Sequence, residues 1–219
     1  LNARVIPGVA ETIEDQLLIV KLRDGTPGAI LCAIPFIRPR DVTTSLTDAS
    51  AQDRQLNQQK AIQSHYEALY QLAVDKRIEL GADLPIVATG HLTTVGASAS
   101  ESVREIYVGS LEAFPTSAFP PADYIALGHI HRPQKVGGQE HIRYSGSPIP
   151  LSFDETGQQK NVLLVDLDTS GLQQIEALSV PLFQPLLSLR GSLKELDALI
   201  ADAAYQGSEQ TPVWLEIMV

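Results

Sequence analysis

A mixed α/β fold is predicted by three observations. Short strand-like apolar runs recur along the chain, one long stretch carries helical spacing, and two of the runs end in Gly-His, at Gly90-His91 and Gly128-His129. Alternation of strands and helices is the signature of α/β architecture, and such sheets collect their ligands beyond the carboxyl ends of the strands. At 219 residues the chain can bury a sizeable core and fits one domain or one and a fraction.

The elements follow in order. Residues 3–9, 16–22 and 29–34 read as strands, with turn residues at Asp24-Gly25-Thr26-Pro27-Gly28. Arg38-Pro39-Arg40 leads into a polar loop. Over residues 53–80, Leu56, Ile62, Tyr66, Leu69 and Ala73 recur at helical spacing, and Gly81 suits the C-cap. The polar face of this helix, with Gln58, Gln59 and Lys60, is expected to face solvent. Residues 84–89 form a short buried-type strand running into Gly90-His91. Ser98 and Glu101 have capping-box spacing, whereas residues 103–108 alternate like a strand, so both readings stand. A helix or turn at 111–114 and a connection through Pro120-Pro121 lead to the strand Tyr124-Ile125-Ala126-Leu127. Further strands are expected at 142–144, 161–167 and 172–180, the last two joined by a hairpin turn at Asp168-Thr169-Ser170-Gly171. Pro181 and Pro185 mark a boundary, after which 186–189, a helix from 192 to 204, and 213–217 spell a β-α-β unit too short to stand alone. The expected division is therefore 1–180 and 181–219, the latter opening a second domain.

Composition narrows the function. Hydrophobic content of 44% and charged content of 19% are ordinary for a globular protein. No apolar run reaches the ~18–20 residues of a membrane span, and Leu1-Asn2-Ala3-Arg4 lacks a signal-peptide layout, so a cytoplasmic location is the expectation. Cys32 is the single cysteine and reads as a buried thiol. A formal net charge of −10 argues against a broad basic surface for gripping nucleic acid. A local site remains compatible with it, because divalent metals invert the field of an acidic cleft, with Arg132, Lys135, Arg143 and, more remotely, Arg38 and Arg40 in support. The chain begins with Leu and ends on the strand-like Trp214-Leu215-Glu216-Ile217-Met218-Val219, which reads as a piece of a longer protein.

Among five histidines, His65 lies within the long helix and His141 at a glycine-rich turn, and both read as structural. His91, His129 and His131 differ, because they follow a glycine at or just beyond a strand end. If strand geometry persists through Gly128-His129-Ile130-His131, the side chains at i and i+2 point to one side and reach one metal centre. Imidazole suits zinc, iron, manganese and nickel alike, so the residues do not choose the metal. A hydrolytic site also needs carboxylates, and no Asp-x-His or Gly-Asp pattern is present. Ser145-Gly146-Ser147-Pro148 reads equally as a plain turn and as a backbone loop lining the cleft. No triad, P-loop or dinucleotide fingerprint occurs.

Three stretches carry a resemblance: Ala88-Thr89-Gly90-His91-Leu92-Thr93-Thr94-Val95-Gly96; residues 122–131 with Gly128-His129-Ile130-His131; and Tyr144-Ser145-Gly146-Ser147-Pro148-Ile149-Pro150-Leu151-Ser152-Phe153. Together with Asp24-Gly25-Thr26-Pro27-Gly28 and Pro35-Phe36-Ile37-Arg38-Pro39-Arg40, they closely resemble bacterial nuclease subunits of the calcineurin-like metallophosphoesterase superfamily, over nearly the whole chain. The resemblance implies an αββα sandwich holding two divalent metal ions, usually manganese. It implies that His91 and His129 bind one metal and His131 the other, with Arg132, Ser145 and Ser147 as candidates to meet substrate. It further implies an ATPase subunit, a second copy of the nuclease subunit and DNA ends as partners. The sequence departs from the family in lacking its N-terminal Asp-x-His, Gly-Asp and Gly-Asn-His motifs, which supply the bridging aspartate, an asparagine ligand and the histidine acting on the leaving group. The expectation is thus the C-terminal part of a phosphoesterase domain (1–180) with the start of a β-α-β capping domain (181–219), inactive alone. Two alternatives share these residues: a non-catalytic docking module for the ATPase, and a phosphoesterase acting on small molecules.

Overall fold

The computed structural model describes residues 3–42, 50–97 and 113–219. The undecided segment around Ser98, Glu101 and 103–108 lies outside them, as does Leu111. The architecture is mixed α/β. A six-stranded sheet has the order β1 (Leu17–Lys21), β2 (Pro27–Cys32), β3 (Ile86–His91), β4 (Tyr124–Gly128), β6 (Gln139–Tyr144), β5 (Gln134–Val136). Its four inner strands, β2, β3, β4 and β6, run parallel, while β1 and β5 add antiparallel edges. Cys32, Ala88, Ile125 and Ile142 form a buried row across those inner strands, each in direct register with the next.

After a short helix α1 (Pro39–Val42), the long helix α2 (Ala51–Leu80) covers the sheet. Ser50 caps its start, accepting from the Asp53 amide at 3.1 Å, and Gly81 ends it with a left-handed φ of 60°. Its buried stripe is Gln58, Ile62, Tyr66, Leu69 and Ala73. Gln58, expected in solvent, is only 5% exposed, because it stands one turn before Ile62 on the same face. Leu56, two positions away and so on the opposite side, is exposed. Position on the helix outweighs polarity in both cases. Cys32 is buried beneath this helix, and loss of hydration pushes its thiol pKa up to about 12.

Three further expectations are corrected. Residues 3–9 form no strand: they pair with no neighbouring strand, and Val5 is exposed. Gln16 belongs to a 3-10 turn, Ile13–Gln16, with its fully buried side chain bonded to the Ala10 amide and the Ala33 carbonyl. The strand expected at 142–144 starts earlier, because Gly137-Gly138, both at positive φ, turn β5 back onto β6. The chain then forms the hairpin β7 (Asn161–Asp168) and β8 (Gly171–Ser179), followed by β9 (Leu186–Arg190), α3 (Leu193–Ala204) and β10 (Trp214–Met218), with β9 and β10 parallel. No helix among the described residues is long and apolar enough to cross a membrane.

Candidate metal centre

β3 and β4 are neighbouring parallel strands, and both run into Gly-His. Their register pairs Gly90 with Leu127 and His91 with Gly128, so the two Gly-His steps are offset by one residue. The offset puts Gly128 opposite His91, where a Cβ on residue 128 would lie 2.8 Å from the His91 Nδ1. Only glycine leaves room for that ring. His91 ends its strand in exposed, regular backbone, its ring edge to face with Phe36 at 6.0 Å.

Beyond Gly128 the chain leaves the sheet. His129 has a φ of 99°, and among the described residues it is the one non-glycine at positive φ. Such a backbone costs about 1–3 kcal/mol and is held only where the surroundings fix it. The extended geometry assumed for Gly128-His129-Ile130-His131 therefore stops at Gly128, and the i, i+2 rule is not what relates His129 to His131. Ile130 is 2% exposed and anchors the turn in the core. The His129 and His91 rings nevertheless come together, with centroids 5.4 Å apart.

Electrostatics ties His131 to the same cluster. The His91 pKa is lowered by partial burial and then by His131; that of His129 falls to about 4, through burial first and then through His91 and His131. Both rings are thus neutral at physiological pH and carry a lone pair for a metal. His131 is gripped from several sides. Its Nδ1 lies 2.7 Å from the Glu155 Oε1, and its carbonyl accepts from the Ser147 amide at 3.1 Å and from the Lys160 Nζ at 3.2 Å. Gly146, at a φ of 82°, lets the loop pass: a Cβ there would lie 2.7 Å from that carbonyl.

The remaining candidates distribute unevenly. Arg132 is exposed beside His131, and Ser145 is half-buried. Ser147 is 7% exposed, and its hydroxyl donates to the Glu155 Oε2 at 3.3 Å, inside a buried network. Lys135 and Arg143 both pair with Glu140, and Arg38 pairs with Asp41 at 3.0 Å. The sequence does not announce the buried Glu155 and Lys160: one ends a short 3-10 turn, Phe153–Glu155, the other directly precedes Asn161, and no spacing marks either charged residue for burial. The neutral imidazoles and the room left by Gly128 suit a metal. Among the described residues, no group of three or more His, Cys, Asp or Glu is arranged to hold an ion, so the donor set is incomplete.

Sequence comparison agrees with the resemblance noted above. The chain is 51% identical to the SbcD subunit of nuclease SbcCD from Escherichia coli (strain K12) over 201 residues, covering 92% of this chain and 50% of that protein. The SbcD subunits from Rhodobacter capsulatus and Bacillus subtilis are 33% identical over 180 residues and 34% identical over 111 residues. These matches cover 81% and 49% of this chain, and 42% and 28% of the relatives. The chain therefore spans about half the length of the Escherichia coli relatives. No family model matches.

Proposed function

The chain is a homologue of part of the SbcD subunit of nuclease SbcCD, and on that premise we propose that it contributes the histidine side of the metal centre of a DNA-cleaving phosphodiesterase. The observation that carries this reading is the meeting of two Gly-His strand ends, with neutral His91 and His129 rings 5.4 Å apart and His131 beside them. His91 and His129 would hold one divalent ion and His131 a second, manganese by the family resemblance. Bound there, such ions polarise a phosphate and activate water for attack on phosphorus. The protein's own part is to present lone pairs without competing protons, at ligands already positioned by packing. Arg132, exposed at the rim, would meet a backbone phosphate, with the Ser145 backbone beside it.

Bridging carboxylates would come from the part of such a protein that these 219 residues do not span, which makes the chain inactive by itself. Residues 1–180 would form the nuclease portion and 181–219 the opening of a capping domain, in a complex with an SbcC-type ATPase, a second nuclease subunit and DNA ends. Calorimetry with Mn²⁺ tests the site. Weak binding that is lost in His129→Ala is expected, whereas binding unchanged by that substitution would overturn the assignment.

A docking role is favoured by a separate observation. A cavity of about 730 Å³ is lined by Ile149, Leu151, Phe153, Leu182, Phe183 and Trp214, four of which (Leu151, Leu182, Phe183 and Trp214) are more than half exposed. Apolar surface of this kind suits contact with another subunit.

A further inference from the structure

The buried Glu155–Lys160 pair takes no part in the chemistry above, yet it converges on His131. The Lys160 Nζ donates to the Glu155 Oε2 at 2.6 Å, to the Ser147 hydroxyl at 3.0 Å and to the His131 carbonyl. The Oε2 also accepts from the Leu151 amide at 3.2 Å, while the Oε1 faces the His131 Nδ1. Both side chains are almost wholly buried, at 0% and 3% exposed. Paired with an ammonium, Glu155 is a carboxylate and can only accept, so the His131 Nδ1 must be the donor. A ring protonated at Nδ1 carries its lone pair at Nε2.

The geometry points to Glu155 as a positioning residue that fixes the tautomer and orientation of His131, with Lys160 and Ser147 holding the carboxylate in place. The inference rests on the reading of His131 as a metal ligand. It also gives Ser147 a supporting role in place of direct contact with substrate. Lys160 does two jobs at once: it neutralises Glu155 in the core, and through the carbonyl it fixes the backbone from which the imidazole projects. Both ends of His131, ring and carbonyl, thereby answer to one buried ion pair. Carboxylates that orient a ligand histidine typically change metal affinity about 10–100-fold when removed.

The test uses the ¹⁵N-labelled, metal-free chain above neutral pH, reading the ring nitrogens of His131 by long-range ¹H–¹⁵N correlation, followed by Mn²⁺ calorimetry. Glu155→Leu with Lys160→Met removes the acceptor without stranding a buried charge, and Glu155→Gln keeps an oxygen acceptor. The expected result is an Nδ1–H tautomer in the parent and in Glu155→Gln. The double variant should revert to mainly Nε2–H and bind Mn²⁺ about 10–100-fold more weakly. An Nε2–H tautomer in the parent, or no change in the double variant, would overturn the proposal. A tautomer that responds as expected in a chain showing no Mn²⁺ binding would support the hold of Glu155 on the ring and count instead against the metal reading of His131.

Discussion

The ends of β3 and β4 carry the same dipeptide and hold it in opposite ways. At Gly90-His91 the strand remains regular, the imidazole is exposed, and its ring is steadied by the edge of Phe36. At Gly128-His129 the strand ends, the backbone is forced to positive φ, and the histidine two residues on is clamped to a buried ion pair. One side can adjust to what arrives, while the other is set in advance. Preorganisation is therefore built in on the β4 side alone, and the cost in strain and buried charge falls there too.

The contrast breaks first at Glu155. Glu155→Ala leaves the Lys160 ammonium buried without its partner and should cost about 3–5 kcal/mol in chemical denaturation, whereas His91→Ala should stay within about 0.5 kcal/mol. Equal losses would mean that the two strand ends are held alike.

Substituting glycine for each histidine sharpens the comparison and should give opposite signs. His129→Gly relieves the positive φ and should stabilise the fold by about 1 kcal/mol even as the proposed ligand is lost. His91→Gly weakens a regular strand end and should destabilise by up to about 1 kcal/mol. Thermal or urea melts of the two variants decide it.

The last difference is one of pH dependence. The His129 pKa of about 4 lies below the ordinary imidazole value of 6.5, so the unfolded chain takes up the proton first as pH falls. Its contribution to stability is present above 6.5 and is lost as pH falls through the window from 6.5 toward 4, with His91 shifted in the same direction. His129→Gln should flatten the stability curve across that window, and His91→Gln should flatten it less.

Much of this architecture is legible in the residues and some is not. The strands β2, β3 and β4 announce themselves as mostly apolar runs, and the 62, 66, 69, 73 spacing marks α2, because strand burial and a 3.6-residue period both write directly into sequence. Gln58 escapes a reading by polarity, because only the helical angle decides its burial. The Gly137-Gly138 hairpin does leave a signal, two glycines between strand-like residues, though the expected strand at 142–144 begins too late to use it. The three histidines stand out because each follows a glycine closely at a strand end. Glu155 and Lys160 do not, since their contacts depend on the chain returning to His131, and such a return leaves no period to detect.

The parallel arrangement of β3 and β4 has a consequence for the order of assembly. Parallel neighbours cannot be joined by a tight turn, so His91 and His129 meet only after a long crossover has closed and its entropy has been spent. An ion has nothing to grip in a chain where these strands are still apart. Loading would thus follow the pairing of the two strands, unlike a zinc finger, whose metal drives folding. On the metal reading proposed above, the centre would be a product of folding, and nascent chains would reach their final topology before the metal content of their surroundings could act on them.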